Sequence, residues 1–144
     1  MAADTIFLMP HPCASTLYEE LLHASQLRHG MYNAFAEEMG NAPALEVMEM
    51  LAALVLVENG ARWRLPEMEV AENRRRFREF SSKIKRKGGI PCRLRSRLPK
   101  WRRLLALDLE SWTALSSRGP SRPVRKLNSS MGAAISLSKS KVLC

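Results

Sequence analysis

Aromatic residues make up only 6 % of this chain, and cysteine occurs three times in 144 residues. Strands draw on aromatic and β-branched side chains, whereas leucine, methionine and alanine dominate here, so the composition favours helices. Cys13, Cys92 and Cys144 are odd in number and far apart. No disulfide framework can be read from them, and a reducing compartment, nucleus or cytoplasm, is expected. The first ten residues carry no basic cluster and too short an apolar stretch for a signal peptide. The apolar run 43–57 is interrupted by Glu46 and Glu49 and falls short of the ~20 residues a bilayer span needs. The ending Lys-Val-Leu-Cys puts cysteine last, where a prenylation box needs it fourth from last.

Catalytic signatures are also missing. The chain has no Gly-x-Ser-x-Gly, no Walker loop and no Cys–His pattern. The helix-face acids Glu19, Glu20, Glu37, Glu38, Glu46 and Glu49 offer carboxylates, but nothing selects a pair. His11 lies close to Cys13, His23 and His29 are six residues apart rather than four, and Cys92 has no companion. The expectation is a protein that is not an enzyme, with no metal, no cofactor and no small-molecule substrate.

The distribution of charge, by contrast, is pronounced. Residues 1–60 hold one basic residue, Arg28, against eight acids; residues 61–144 hold 22 Lys/Arg against six acids, for an overall net charge of +9. Between Arg74 and Arg103 stand fourteen Lys/Arg and one acid, Glu79. Such a density of like charge repels itself and calls for an external anion.

The fold class expected is mostly α: a small helical bundle followed by a basic arm, an amphipathic helix and a disordered tail. Residues 1–15 read as an extended leader with Pro10 and Pro12. Residues 16–87 read as the bundle, ending in a basic helix. Thr16 and Glu19 match a capping box. Leu17, Leu21, Ala24, Leu27, Met31, Phe35 and Met39 then mark one helical face, with Gly30 a possible break. A second helix runs over about 43–58, capped by Asn41, with Pro43 in its first turn and Asn59-Gly60 at its end. It is apolar on nearly every face from Met50 to Val57, as befits a central core helix or, failing that, a partner interface. Met50, Leu51, Leu54 and Val55 are the candidate interface residues, for a homodimer or a helical protein partner. Ala61–Leu65 reads as a short extended link anchored by Trp63.

A third helix starts at Pro66, with Glu67 and Glu69 at its positive end and Lys83–Lys87 at its negative end, both favourable for the macrodipole. Val70, Phe77, Phe80 and Ile84 form its apolar stripe, and Gly88-Gly89 stops it. Residues 88–115 form the next unit. Ile90–Leu98 alternates basic with small or apolar residues between Pro91 and Pro99, the pattern of an edge strand or extended arm. A last helix follows, with Trp101, Leu105, Leu109, Trp112 and Leu115 on one side. Lys100, Arg102 and Arg103 at its start oppose its dipole, a local conflict expected where cations serve a ligand. Residues 116–144, rich in Ser, Gly, Pro, Arg and Lys, read as a disordered tail. Ala133–Leu137 is a transient turn at most.

The function these features point to is non-enzymatic nucleic-acid binding, with RNA or single strands favoured over DNA. The candidate phosphate-holding residues are Arg74, Arg75, Arg76, Arg78, Lys83, Lys85, Arg86, Lys87, Arg93, Arg95, Arg97, Lys100, Arg102 and Arg103. Arginine outnumbers lysine among them, and its guanidinium fork binds phosphate bidentately and stacks on bases. The interleaved Phe77, Phe80 and Trp101 would suit single strands if exposed, and core packing if not. Half of these cations on phosphates would give a log–log salt slope of roughly −5 to −6. A helix-turn-helix over 43–58 and the Pro66 helix meets the objection that its link, Asn59–Leu65, is long for a tight turn. The alternative function is a helical protein–protein adaptor in which Lys83-Ile-Lys-Arg-Lys87 is a nuclear-import signal. Attachment to an anionic membrane surface ranks last, because the apolar stripe of the 66–87 helix is narrow. Ser81, Ser121 and Ser129 each follow a basic residue by three and are candidate phosphorylation points.

Overall fold

A computed structural model describes residues 12–117, with side-chain surroundings through Ala114. The fold is mostly α, as the composition implied, with six helices and no strand among the described residues. They are α1 (Ala14–Arg28), α2 (Met31–Met39), α3 (Asn41–Asn59), α4 (Glu67–Arg86), α5 (Cys92–Arg95) and α6 (Leu98–Ser117). No helix among them is long and apolar enough to cross a membrane. Most of the expected leader, His11 with it, lies outside the described residues, as do Ser121, Ser129, Cys144 and nearly all of the expected tail with its Ala133–Leu137 turn.

The helix ends follow from local chemistry. Gly30, at φ 65°, divides α1 from α2, and Gly40, at φ 86°, divides α2 from α3. Both adopt backbone conformations that a Cβ disfavours. At the end of α4 the Gly89 N–H bonds the Ile84 carbonyl at 2.9 Å and the Gly88 N–H bonds that of Lys85 at 3.2 Å. These paired bonds form a Schellman motif, made possible by positive φ at both glycines.

Three local expectations need correction. The first helix begins at Ala14, with Cys13 rather than Thr16 at its cap. Its orphan Ser15 N–H is satisfied from a distance, by the Glu69 carboxylate in the first turn of α4 at 2.6 Å. Glu19 is drawn to Arg76 instead of to a capping box. Ala61–Leu65 is a series of turns rather than extended, with Arg64 at φ 53° and Trp63 packed edge-on against Tyr18. Ile90–Leu98 contains one helical turn, α5, and no strand. Pro91 has φ −52° and its carbonyl accepts from the N–H groups of Leu94 and Arg95. Leu94 and Leu98 are four apart as well as even-numbered, so the apolar spacing fits a helix too; Cys92 and Ser96, which a strand would turn to the same side as Leu94, are exposed.

Helix α3 is the centre, packed by α1, α2, α4 and α6. Val47, Leu51, Ala52, Val55 and Leu56 are shut from solvent within the chain itself. Around them lie Leu22 of α1, Met31 and Phe35 of α2, Ile84 of α4, Leu94 of α5, and Trp101, Leu105 and Leu109 of α6. Residues that suggested a possible partner interface, Met50, Leu51 and Val55, are therefore core; Leu54 is half-buried.

Gly60 sets how closely α4 approaches α3. Its φ of −55° suits any residue, but a Cβ there would sit 2.6 Å from Val70 Cγ2 and 3.0 Å from the Leu56 carbonyl oxygen. Gly60→Ala is expected to lower stability by about 1–3 kcal/mol through overpacking. Denaturant titration measures this, and an unchanged midpoint would show that the packing yields freely.

Candidate nucleic-acid interface

The basic block divides by what each side chain meets. On α4, residues advance by about 100° each around the axis. Asn73, Phe77, Phe80 and Ile84 fall on the inward side, where Ile84 and Asn73 are buried and both rings pack on the core. Asn73 donates to the Glu69 carbonyl, which satisfies its buried amide. Arg76 lies at the edge of this side and turns inward. Its guanidinium donates to Glu19 of α1 at 2.6 and 2.8 Å and to Glu49 of α3 at 2.9 Å. Arg76 thus ties three helices together.

His23 completes that cluster. Its Nε2 lies 3.7 Å from Glu19 and 3.6 Å from Glu49. The Gln26 amide nitrogen donates to the Met48 carbonyl, so the Gln26 oxygen is the atom that faces His23 Nδ1, at 2.9 Å. That oxygen accepts from Nδ1, while Nε2 lies at ion-pair but not hydrogen-bond distance from two carboxylates, a setting that favours the imidazolium. Burial alone would depress the His23 pKa, but pairing with Glu19 and the charge of Glu49 raise it above the ordinary value. Burial alone would raise Glu19, but the nearby His23 and the hydrogen-bonded Arg76 guanidinium bring it down to about 2. Glu19, His23 and Glu49 are also spaced closely enough for a divalent cation. Arg76 already occupies lone pairs that such an ion would need.

Other cations of the block are also matched to acids. Lys87 pairs with Glu46 and Lys83 with Glu79, both at 2.8 Å. Arg75 pairs with Glu72 at 2.5 Å, Arg93 reaches Glu38 at 3.8 Å, and Arg102 pairs with Glu58. The acidic first part of the chain is thereby the main counter-charge of the basic second part.

A different set is left outward. Arg74, Arg78, Lys85 and Arg86 on α4, and Arg95, Arg97, Lys100 and Arg103 around α5 and the start of α6, have no carboxylate within ion-pair distance among the described residues. All are exposed. Arg74, Arg78 and Lys85 lie within about 40° of one line along α4 and span about 16 Å of its axis. Arg95 donates to the Ile90 carbonyl, and Arg97 stands over the Trp101 ring at 6.0 Å. The structure therefore brings the expected site residues to the surface in part and commits Arg76 to the interior. Reasoning from sequence missed the His23 cluster. Its only signal was the four-residue spacing of Glu19 and His23, which places them on one helix face.

No protein-family model, curated protein or solved structure matches the chain.

The pKa directions fix the pH dependence. His23 is raised on folding, so its contribution is present below its unfolded value near 6.5 and is lost as pH rises through the higher folded value. Glu19 is lowered, so its contribution is present above about 4.5 and is lost as pH falls toward 2. The cluster is most stabilising between these limits. Denaturant midpoints across pH should show His23→Gln losing the alkaline decline while keeping the acid one. A parallel curve for wild type and variant above pH 6.5 would contradict the imidazolium.

Proposed function

We propose that this protein binds nucleic acid without catalysing a reaction, through phosphate contacts from the outward cations of α4 and of the α5–α6 corner. One observation carries the reading: these cations stay exposed and without a carboxylate partner among the described residues, while Glu19, Glu38, Glu46, Glu49 and Glu58 are engaged by other cations. An unneutralised row of charge on a rigid helix is costly by self-repulsion and becomes favourable when a polyanion releases its counterions to it. Arginine supplies most of the row, as suits phosphate. The cations around the start of α6 oppose its dipole, a conflict relieved by an anion.

The adaptor reading gains less support. The apolar surface of α3 that would take a partner is largely used by the chain's own helices. Lys83–Lys87 sits in the last turn of α4 and its cap, with Ile84 buried and Lys83 and Lys87 paired. A receptor that takes such a cluster as an extended peptide would have to unwind that turn.

The combined Arg74→Ala, Arg78→Ala and Lys85→Ala protein should bind RNA and DNA more weakly regardless of sequence. Its log–log salt slope should be shallower by about 2–3, near 0.7–0.9 for each phosphate no longer held. Arg62→Ala, an exposed cation outside the block paired with Glu110, should leave both nearly unchanged. Salt-independent binding by the wild type, or equal weakening in the two variants, would count against the proposal.

A further inference from the structure

We infer that the basic surface takes double-stranded nucleic acid by its phosphates in preference to single strands, an inference that rests on the nucleic-acid reading above. Proteins that hold single strands combine a positive groove with exposed aromatic rings, each stacked base contributing about 1–3 kcal/mol. Among the described residues every aromatic ring is at least partly buried. Phe35 is fully buried and Trp101 is 8 % exposed, and the two rings pack together at 5.1 Å. Tyr18, Tyr32, Trp63, Phe77, Phe80 and Trp112 are half-buried, each packed on one side against the core. The rings nearest the basic residues are also covered by the chain's own cations: Lys83 stands 5.1 Å over Phe80 and Arg97 6.0 Å over Trp101. A base arriving at either would first have to displace a cation.

What remains outward is charge held on rigid helices. A duplex keeps its bases stacked inside and presents only phosphates and groove edges, which is all that these side chains can meet. It offers one negative charge per about 1.7 Å of axis with both strands counted, so a ~16 Å stretch matching the row of Arg74, Arg78 and Lys85 carries on the order of ten phosphates, those on the near side meeting the row. A single strand has a lower charge density, and rings half-buried against the core offer little of the stacking that would compensate for this. Phosphate contacts position a protein on the backbone without reading bases, so the binding is expected to be insensitive to sequence.

The test is fluorescence anisotropy with the full chain, using a duplex and each of its separated strands at equal length, in RNA and in DNA versions, at two salt concentrations. The duplex should bind roughly tenfold or more tightly than either strand at the same salt, with a slope per phosphate nearer −0.9 than −0.7. Phe80→Leu should leave single-strand affinity unchanged. Single strands that bind as tightly as the duplex, or lose affinity with Phe80→Leu, would overturn this inference alone. Absence of binding to every probe would overturn the nucleic-acid reading and this inference with it.

Discussion

Arg76 holds two carboxylates from two other helices, and the placement of the other charges of α4 follows from that interaction. Its guanidinium draws Glu19 of α1 and Glu49 of α3 onto one side of α4, with His23 closing the cluster as a second cation. These side chains are only 14–23 % exposed, so their attraction is less screened than that of a surface pair. With His23 charged, two anions meet two cations, and none is left in a poorly solvated place without a partner. The cluster also sets the rotation of α4. With Arg76 facing inward beside Asn73, Phe77 and Ile84, the line of Arg74, Arg78 and Lys85 must face water.

The polarity of the chain thus has two consequences. An acidic first part and a basic second part fold onto one another, and Glu19, Glu38, Glu46, Glu49 and Glu58 each meet a cation from the later sequence. Basic residues outnumber the acids available, so the excess lies on the surface. Among the described residues, the part of that excess on α4 and at the α5–α6 corner is the basis of the proposed polyanion surface, and α4 and α6 both have apolar residues fixed in the core. Neutralisation inside and charge outside are two results of one imbalance.

Much of the helical framework was legible because its signals are local. Gly30, Gly40 and Gly88-Gly89 mark breaks through backbone conformations open to glycine, and Pro66 fixes the start of α4. The apolar character of α3 correctly pointed to a central helix. Ile90–Leu98 misled because residues four apart are also an even number apart, so Leu94 and Leu98 satisfy both periods. Thr16 misled because the N-terminus of α1 is satisfied by Glu69, a residue far along the chain. The site was legible only as a block. Fourteen cations in thirty residues look equivalent in sequence, and what separates Arg76 from its neighbours Arg74 and Arg78 is its angle around α4 relative to acids on α1 and α3. Phe77, Phe80 and Trp101 likewise read as either core or stacking platform until their burial was seen.

The central claim is that the Arg76 cluster joins the halves energetically rather than by proximity alone. A double-mutant cycle over Arg76→Met and Glu19→Gln, read by denaturant unfolding near pH 6, tests it most directly. The account predicts a coupling of about 1.5 kcal/mol or more, because each single change removes the shortest ion pair of a partly buried charge, leaving it one remaining partner. Effects that add to within about 0.5 kcal/mol would contradict it and would make Arg76 one more surface cation.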